Sequence, residues 1–116
     1  MKTVKRATQL LKGMADSTRL RIINLLCRRE LNVKELCFIL AKEQSLVSKH
    51  LALLRLLDVV AVRKEGLNVY YYLRNPKDKE YRRLLGAVTE GFHGLKLIKK
   101  DIMNLKRMKN KRSNKV

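Results

Sequence analysis

Of the 116 residues only two are cysteine and one is proline, and acidic residues number 10 against 28 lysines and arginines. Each scarcity excludes something. Cys27 and Cys37 are too few for a disulfide scaffold, and no apolar run approaches the ~18 residues of a membrane span. No basic n-region followed by an apolar h-region opens the chain. The expectation is a soluble cytoplasmic protein with reduced thiols and no membrane partner. The residues also offer no nucleophile-and-base set, no phosphate loop and no paired carboxylates in a pocket-forming context, so an enzyme is not expected.

What is present is a folded composition, 46% hydrophobic and 33% charged, with a net charge of +18. A charge of that size repels itself and favours a polyanion. A nucleic-acid duplex, with a charge every ~1.7 Å and counterions to release, is the leading candidate, although ribosomal RNA or an acidic membrane fits the charge equally well. Charge alone names a class of partner and no mechanism. The length fits one compact domain whose small core gains from being shared across a dimer.

Hydrophobic spacing then predicts the elements. Val4, Ala7, Leu10, Leu11 and Met14 recur at helical intervals in a first helix over about 3–15. Asp16, Ser17 and Thr18 supply a cap for a second helix over about 17–29, burying Leu20, Ile23 and Leu26. Asn32 with Glu35 is a capping-box start for a third helix, with Val33, Leu36, Cys37 and Leu40 inward. After a polar turn at Lys42 and Glu43, a fourth helix runs over about 44–57 on Val47, Leu51 and Leu54. The period then changes to two around Val60–Lys64 and Val69–Leu73, two strands joined through Glu65, Gly66 and Leu67 as a hairpin. Asn75-Pro76 closes the second strand.

The last segment, over about 77–108, is a long helix or a broken pair. Tyr81, Val88, Leu95 and Ile102 are seven apart, as are Leu84, Gly91, Ile98 and Leu105, an a/d seam suited to a partner helix. Gly86, Gly91 and Gly94 disturb it, marking either close helix contact or a kink near His93. Residues 1–108 form the domain, and 109–116 are expected to be a disordered basic tail. The fold class is therefore mainly α with a small β-hairpin: a winged helix-turn-helix with extra helices at both ends.

A helix in the major groove must bury one side and offer short polar and basic groups on the other. The fourth helix does this, with Gln44, Ser45, Ser48, Lys49 and Arg55 outward and His50 near the edge. Gln reads adenine bidentately, and Ser and Lys serve bases or phosphates. In the hairpin, Arg63, Lys64 and Gly66 would lie along the backbone or enter the minor groove.

Four ordered blocks, LKGMADSTRLRIINLL, ELNVKELCFIL, QSLVSKHLALLR and RKEGLNVYYYL, resemble the ArsR/SmtB family of repressors over roughly residues 10–73. The resemblance implies a homodimer built on the first and last helices, with Val4, Leu11, Val88, Leu95, Ile98 and Ile102 as dimerisation residues. It also implies double-stranded DNA carrying an inverted-repeat operator as partner, and release of DNA when an effector binds. By position it puts Gln44, Ser45, Ser48, Lys49 and His50 in the recognition helix and Arg63, Lys64 and Gly66 in the wing.

The family's sensor sites are not reproduced. Its metalloid sensors carry third-helix cysteines in a pattern like ELCVCDLC, whereas here Asn32 and Lys34 fill two of those slots and only Cys37 remains. A soft-metal site needs two or three thiolates. Its zinc sensors use Asp-x-His and His-x-x-Glu on the last helix, where this chain has only Glu90 and His93. Cys27, Cys37 and His93 are weak metal candidates, no metal or cofactor is expected, and the effector is unknown. The function expected is a sequence-specific transcriptional regulator, a repressor by resemblance. The alternative is a sequence-neutral, charge-driven nucleic-acid-binding architectural protein.

Overall fold

The computed structural model describes residues 4–74, 78–92 and 94–113. Asn75, Pro76 and His93 lie outside the described residues, as does the end of the basic tail at 114–116. The chain order is α1 (Val4–Met14), α2 (Ser17–Leu26), β1 (Leu31–Asn32), α3 (Val33–Leu40), α4 (Gln44–Leu56), β2 (Val60–Glu65), β3 (Asn68–Leu73), α5 (Lys79–Gly91) and α6 (Lys96–Ser113).

Local chemistry explains most of these boundaries. Asp16 holds extended backbone and accepts from the Arg19 N–H at 3.0 Å, starting α2. Asn32 accepts from the Glu35 N–H at 2.8 Å while Glu35 accepts from the Asn32 N–H at 3.0 Å, so the expected capping box starts α3. Asp78 caps α5 by accepting from the Tyr81 N–H. Ala41 ends α3 in the left-handed region, φ 54°, without a glycine. The hairpin closes through Gly66 and Leu67, with Glu65 opposite Asn68 and Gly66 at φ 61°. Its loop is one residue shorter than the expected three-residue connection, and a two-residue loop needs positive φ that Gly supplies.

One small strand was not anticipated. Leu31 and Asn32 pair with Tyr71 and Tyr70, completing a three-stranded antiparallel sheet in the order β1-β3-β2. Two residues are too few to show alternation; β1 exists because the free edge of β3 passes beside it.

A single core joins the elements. Leu10, Ile22, Ile23, Leu25, Leu31, Leu36, Val47, Leu51, Leu54, Val59 and Tyr81 are all fully buried. Each such aliphatic side chain contributes roughly 1.5–3 kcal/mol over an exposed one. Gly13 lets α1 approach the core closely: a Cβ there would lie 3.0 Å from Leu54 Cδ2 and 3.3 Å from Val59 Cγ2. Arg6 on α1 donates to the Asp58 carbonyl at 2.6 Å, fastening the same helix to the turn after α4.

The C-terminal segment is a broken pair. Helix α5 stops at Gly91, Phe92, Gly94 and Leu95 lie in turn or bend conformation, and α6 folds back against α2 and α3. Nothing lies within 4 Å of a Cβ built at Gly86, Gly91 or Gly94. Of the two readings of those glycines, the break is what the structure shows. Ile98, Ile102 and Leu105 are buried on the inner side of α6. Between them, Asp101 is fully buried and accepts from Arg21 Nε and Nη2, both at 2.8 Å. Helical backbone continues to Ser113, into the stretch expected to be a disordered tail. No helix among the described residues is long and apolar enough to cross a membrane.

Candidate nucleic-acid interface

Helices α3 and α4 with the intervening Ala41–Glu43 turn form the helix-turn-helix, and β2–β3 the wing. In α4 the buried stripe is Val47, Leu51 and Leu54, at positions i, i+4 and i+7. This arrangement turns Gln44, Ser45, Ser48 and Lys49 to solvent. None of these four has a side-chain partner among the described residues, so their donors and acceptors are available to base edges and phosphates. Leu46, 38% exposed beside them, was not singled out in the sequence. An apolar group in the first turn of a recognition helix can contact a thymine methyl. The signal that could have found it is the absence of any buried position for Leu46 in the Val47–Leu51–Leu54 stripe.

His50 is placed differently. Its side chain is 15% exposed, and Nδ1 lies 3.9 Å from Asp16 Oδ1. It faces the start of α2 rather than the outward surface. Asp16 titrates below the ordinary aspartate range, chiefly because the Arg19 N–H donates to it, with the His50 and Arg19 charges adding to the effect.

In the wing, Lys64 and Gly66 are exposed, and Leu67 stands fully exposed at the tip. Apolar side chains at such tips are suited to wedging into a minor groove. Arg63 is already engaged: Nε donates to Glu30 at 2.7 Å and Nη1 to Glu65 at 2.8 Å, with its guanidinium 5.0 Å from the centre of the Tyr70 ring. These two carboxylates raise its pKa further. The group lines an open polar cleft of about 340 Å³ between the wing and Arg29–Glu30. A phosphate reaching Arg63 therefore competes with two carboxylates for its charge, whereas Lys64 faces no such competition.

The residues expected at a dimer seam divide. Val4, Leu11 and Leu95 are 84%, 53% and 50% exposed, and Val88 is half-buried. Ile98 and Ile102, 3% and 8% exposed, are already covered within the chain by the back-folded α6. A heptad seam has the same period whether its partner is another chain or its own core, so the pattern could not distinguish them. Phe92, Leu97 and Met103 add exposed apolar surface that the heptad reading omitted.

The thiols are unpaired, Cys27 exposed and Cys37 half-buried. Although the Cys27 residue is open to solvent, protein crowded around its sulfur pushes its pKa up to about 11. Burial also raises that of Cys37. Neither is an activated thiolate. Among the described residues no three His, Cys, Asp or Glu side chains gather as a metal would require.

This geometry, a one-sided recognition helix beside an exposed β-hairpin, defines a winged helix-turn-helix DNA-binding protein. The sequence profile described as "Bacterial regulatory protein, arsR family" matches residues 16–62. The transcriptional activator HlyU of Vibrio cholerae is 42% identical over 84 residues, covering 72% of this chain and 78% of HlyU. The transcriptional repressor PagR of Bacillus anthracis is 40% identical over 81 residues, covering 69% and 81%. The solved structure of Vibrio cholerae HlyU superposes with a TM-score of 0.64 at 40% identity, covering 75% of this chain and 95% of that one. The chain belongs to the ArsR family. It is a sequence-specific DNA-binding transcriptional regulator and not an enzyme.

Proposed function

We propose that the chain binds an inverted-repeat operator as a homodimer and represses transcription by occupying the promoter. The observation that carries this reading is the exposed, unpartnered set Gln44, Ser45, Ser48 and Lys49 on one face of α4. With α4 in the major groove, Gln44 and Ser45 in its first turn reach base edges, and Leu46 reaches a thymine methyl. Ser48 and Lys49 hold the adjoining backbone, while Lys64 and Gly66 bring the wing to the flanking phosphates and Leu67 to the minor groove. Exposed Val4, Leu11 and Leu95, with Phe92 nearby in sequence, supply the apolar surface for pairing two protomers. Two-fold pairing places the α4 helices about one helical turn of DNA apart, which is why the operator is an inverted repeat.

The test is selection of genomic fragments by the purified protein at near-physiological salt. Enrichment of one inverted repeat, bound ~10³-fold or more above random DNA, is expected. Equal recovery of all fragments would instead indicate a charge-driven, sequence-neutral binder. Because HlyU is named an activator and PagR a repressor, the sign is checked separately by in vitro transcription. Reduced transcript from a promoter overlapping the selected operator is the expected result.

A further inference from the structure

We propose that α6 is a second DNA-contacting element, a basic helix that lies along the phosphate backbone flanking each half-site. The inference rests on the operator reading above but uses different residues. The inner side of α6 consists of Ile98, Asp101, Ile102 and Leu105, at i, i+3, i+4 and i+7, all buried. The solvent side presents Lys96, Lys99, Lys100, Lys106 and Arg107, all exposed, with Leu97 and Met103 as the exposed apolar residues among them.

Asp101 is the only carboxylate in the helix, and it is wholly inside, bound by two parallel hydrogen bonds from Arg21. The outer side therefore has no acidic residue of its own helix to offset its charge. Lys96 stands three and four residues before Lys99 and Lys100, spacings at which like charges oppose the helix. Lys109, Lys111 and Arg112 extend the same sign along the sequence of the helix. A helix so composed is favoured by an external polyanion.

The placement of α6 selects DNA as that polyanion. Arg21 bridges two elements: while it binds Asp101, its Nη2 donates to the carbonyl of Leu40, the last residue of α3, at 3.3 Å. The middle of α6 is thus pinned to the end of the helix that immediately precedes the turn into α4. In a docked helix-turn-helix the first helix crosses the DNA backbone while the second enters the groove. A basic helix anchored to α2 and α3 extends that crossing outward from the half-site. Its planar, bidentate anchor fixes rotation as well as position, which an apolar stripe alone would leave looser. Such contacts read no bases; they add affinity and salt dependence.

The experiment titrates full-length protein by fluorescence anisotropy, over a range of salt, onto two duplexes. One carries the inverted repeat most enriched by the wild-type protein, extended about one helical turn, ~10 base pairs, beyond each half-site. The other has scrambled half-sites. In the variant Lys99→Gln/Lys100→Gln/Lys106→Gln, each lost phosphate contact lowers the salt slope by about 0.9. The expected result is a slope smaller by about 2 to 3 and at least ~10-fold weaker binding to both duplexes, with their affinity ratio unchanged. Lys→Arg at the same positions should retain the wild-type slope. Trimming the flanks should weaken the wild type and leave the Gln variant unaffected.

The control Lys79→Gln/Arg82→Gln/Arg83→Gln removes the same charge from α5. A Gln-variant slope that falls no further than this control overturns the proposal and leaves the α6 face to another polyanion. A wild-type protein that enriches no sequence overturns the operator reading instead. The slope comparison on the scrambled duplex still decides whether α6 touches DNA.

Discussion

Helices α4 and α6 follow the same plan and present different surfaces. Each buries a stripe at i, i+4 and i+7 and presents the rest to solvent. The stripe of α4 is purely aliphatic, and its outer side mixes an amide, hydroxyls and an ammonium. The stripe of α6 contains a buried carboxylate locked to Arg21, and its outer side carries one sign of charge among its ionised groups. The difference teaches what each surface can do. A mixture of donors and acceptors can discriminate base edges, whereas a row of cations can only attract phosphate. It also separates two ways of docking a helix: dispersion and burial hold α4, and a directional ion pair orients α6.

The most severe break in the comparison is Asp101→Leu, which leaves Arg21 buried without its counter-charge. A loss of about 3–5 kcal/mol in unfolding free energy is expected, read by denaturant titration at fixed protein concentration. Adding Arg21→Met should recover most of that loss, because two apolar groups of similar bulk leave no orphaned charge. If the double variant were as unstable as the single, the pair would have to act through more than mutual charge compensation.

Next in size is Gln44→Ala, expected to cost about 1–3 kcal/mol of base discrimination at one step per half-site while leaving stability intact. Comparing selected-sequence profiles of the two proteins measures it. An identical profile would remove Gln44 from the base-reading set. The same measurement with uracil in place of thymine isolates Leu46: methyl loss should weaken wild type and leave Leu46→Ala indifferent.

Asp16→Ala should cost about 1 kcal/mol through the lost α2 cap. Its pH dependence has a definite sign. The folded-state pKa of Asp16 is lowered by the Arg19 N–H first, with His50 and Arg19 charge contributing. The cap's contribution is therefore full above the unfolded-state value and disappears as pH falls through the lowered one. The melting-temperature gap between wild type and Asp16→Ala should narrow only in that acidic window, and a gap constant down to pH ~2 would contradict it.

The smallest contrast is within the wing. Lys64→Ala should lower the salt slope by about 0.9, and Arg63→Ala by less, because Glu30 and Glu65 already offset part of the Arg63 charge. Equal slopes for the two variants would show that the two carboxylates do not weaken the hold of Arg63 on phosphate.

Much of the candidate interface was legible in the sequence. The Val47–Leu51–Leu54 stripe identified the inner side of α4 and, by exclusion, put Gln44, Ser45, Ser48 and Lys49 outside. Leu46 lies outside that stripe, so the same exclusion applies to it, and its exposure bears this out. The fate of Arg63 was not legible either, since Glu30 lies 33 residues away on a different element. His50, near the edge of the predicted face, proved to face Asp16 across the fold.

What the sequence by itself determined is whatever neighbours three or four residues apart can decide: the Asn32–Glu35 box, the amphipathic stripes, the change of period at the hairpin and the glycine at its turn. Those are set by backbone hydrogen bonds and side-chain periodicity, which need no knowledge of the rest of the molecule. Tertiary structure alone decided that Leu31 and Asn32 become a strand beside Tyr71 and Tyr70, and that Gly13 makes room for Leu54. It alone brought Arg21 to Asp101 and so turned the heptad pattern of Ile98 and Ile102 inward. These outcomes depend on which surfaces meet after the chain folds back between Gly91 and Lys96. A buried ion pair between residues 80 positions apart leaves no local periodicity by which to find it.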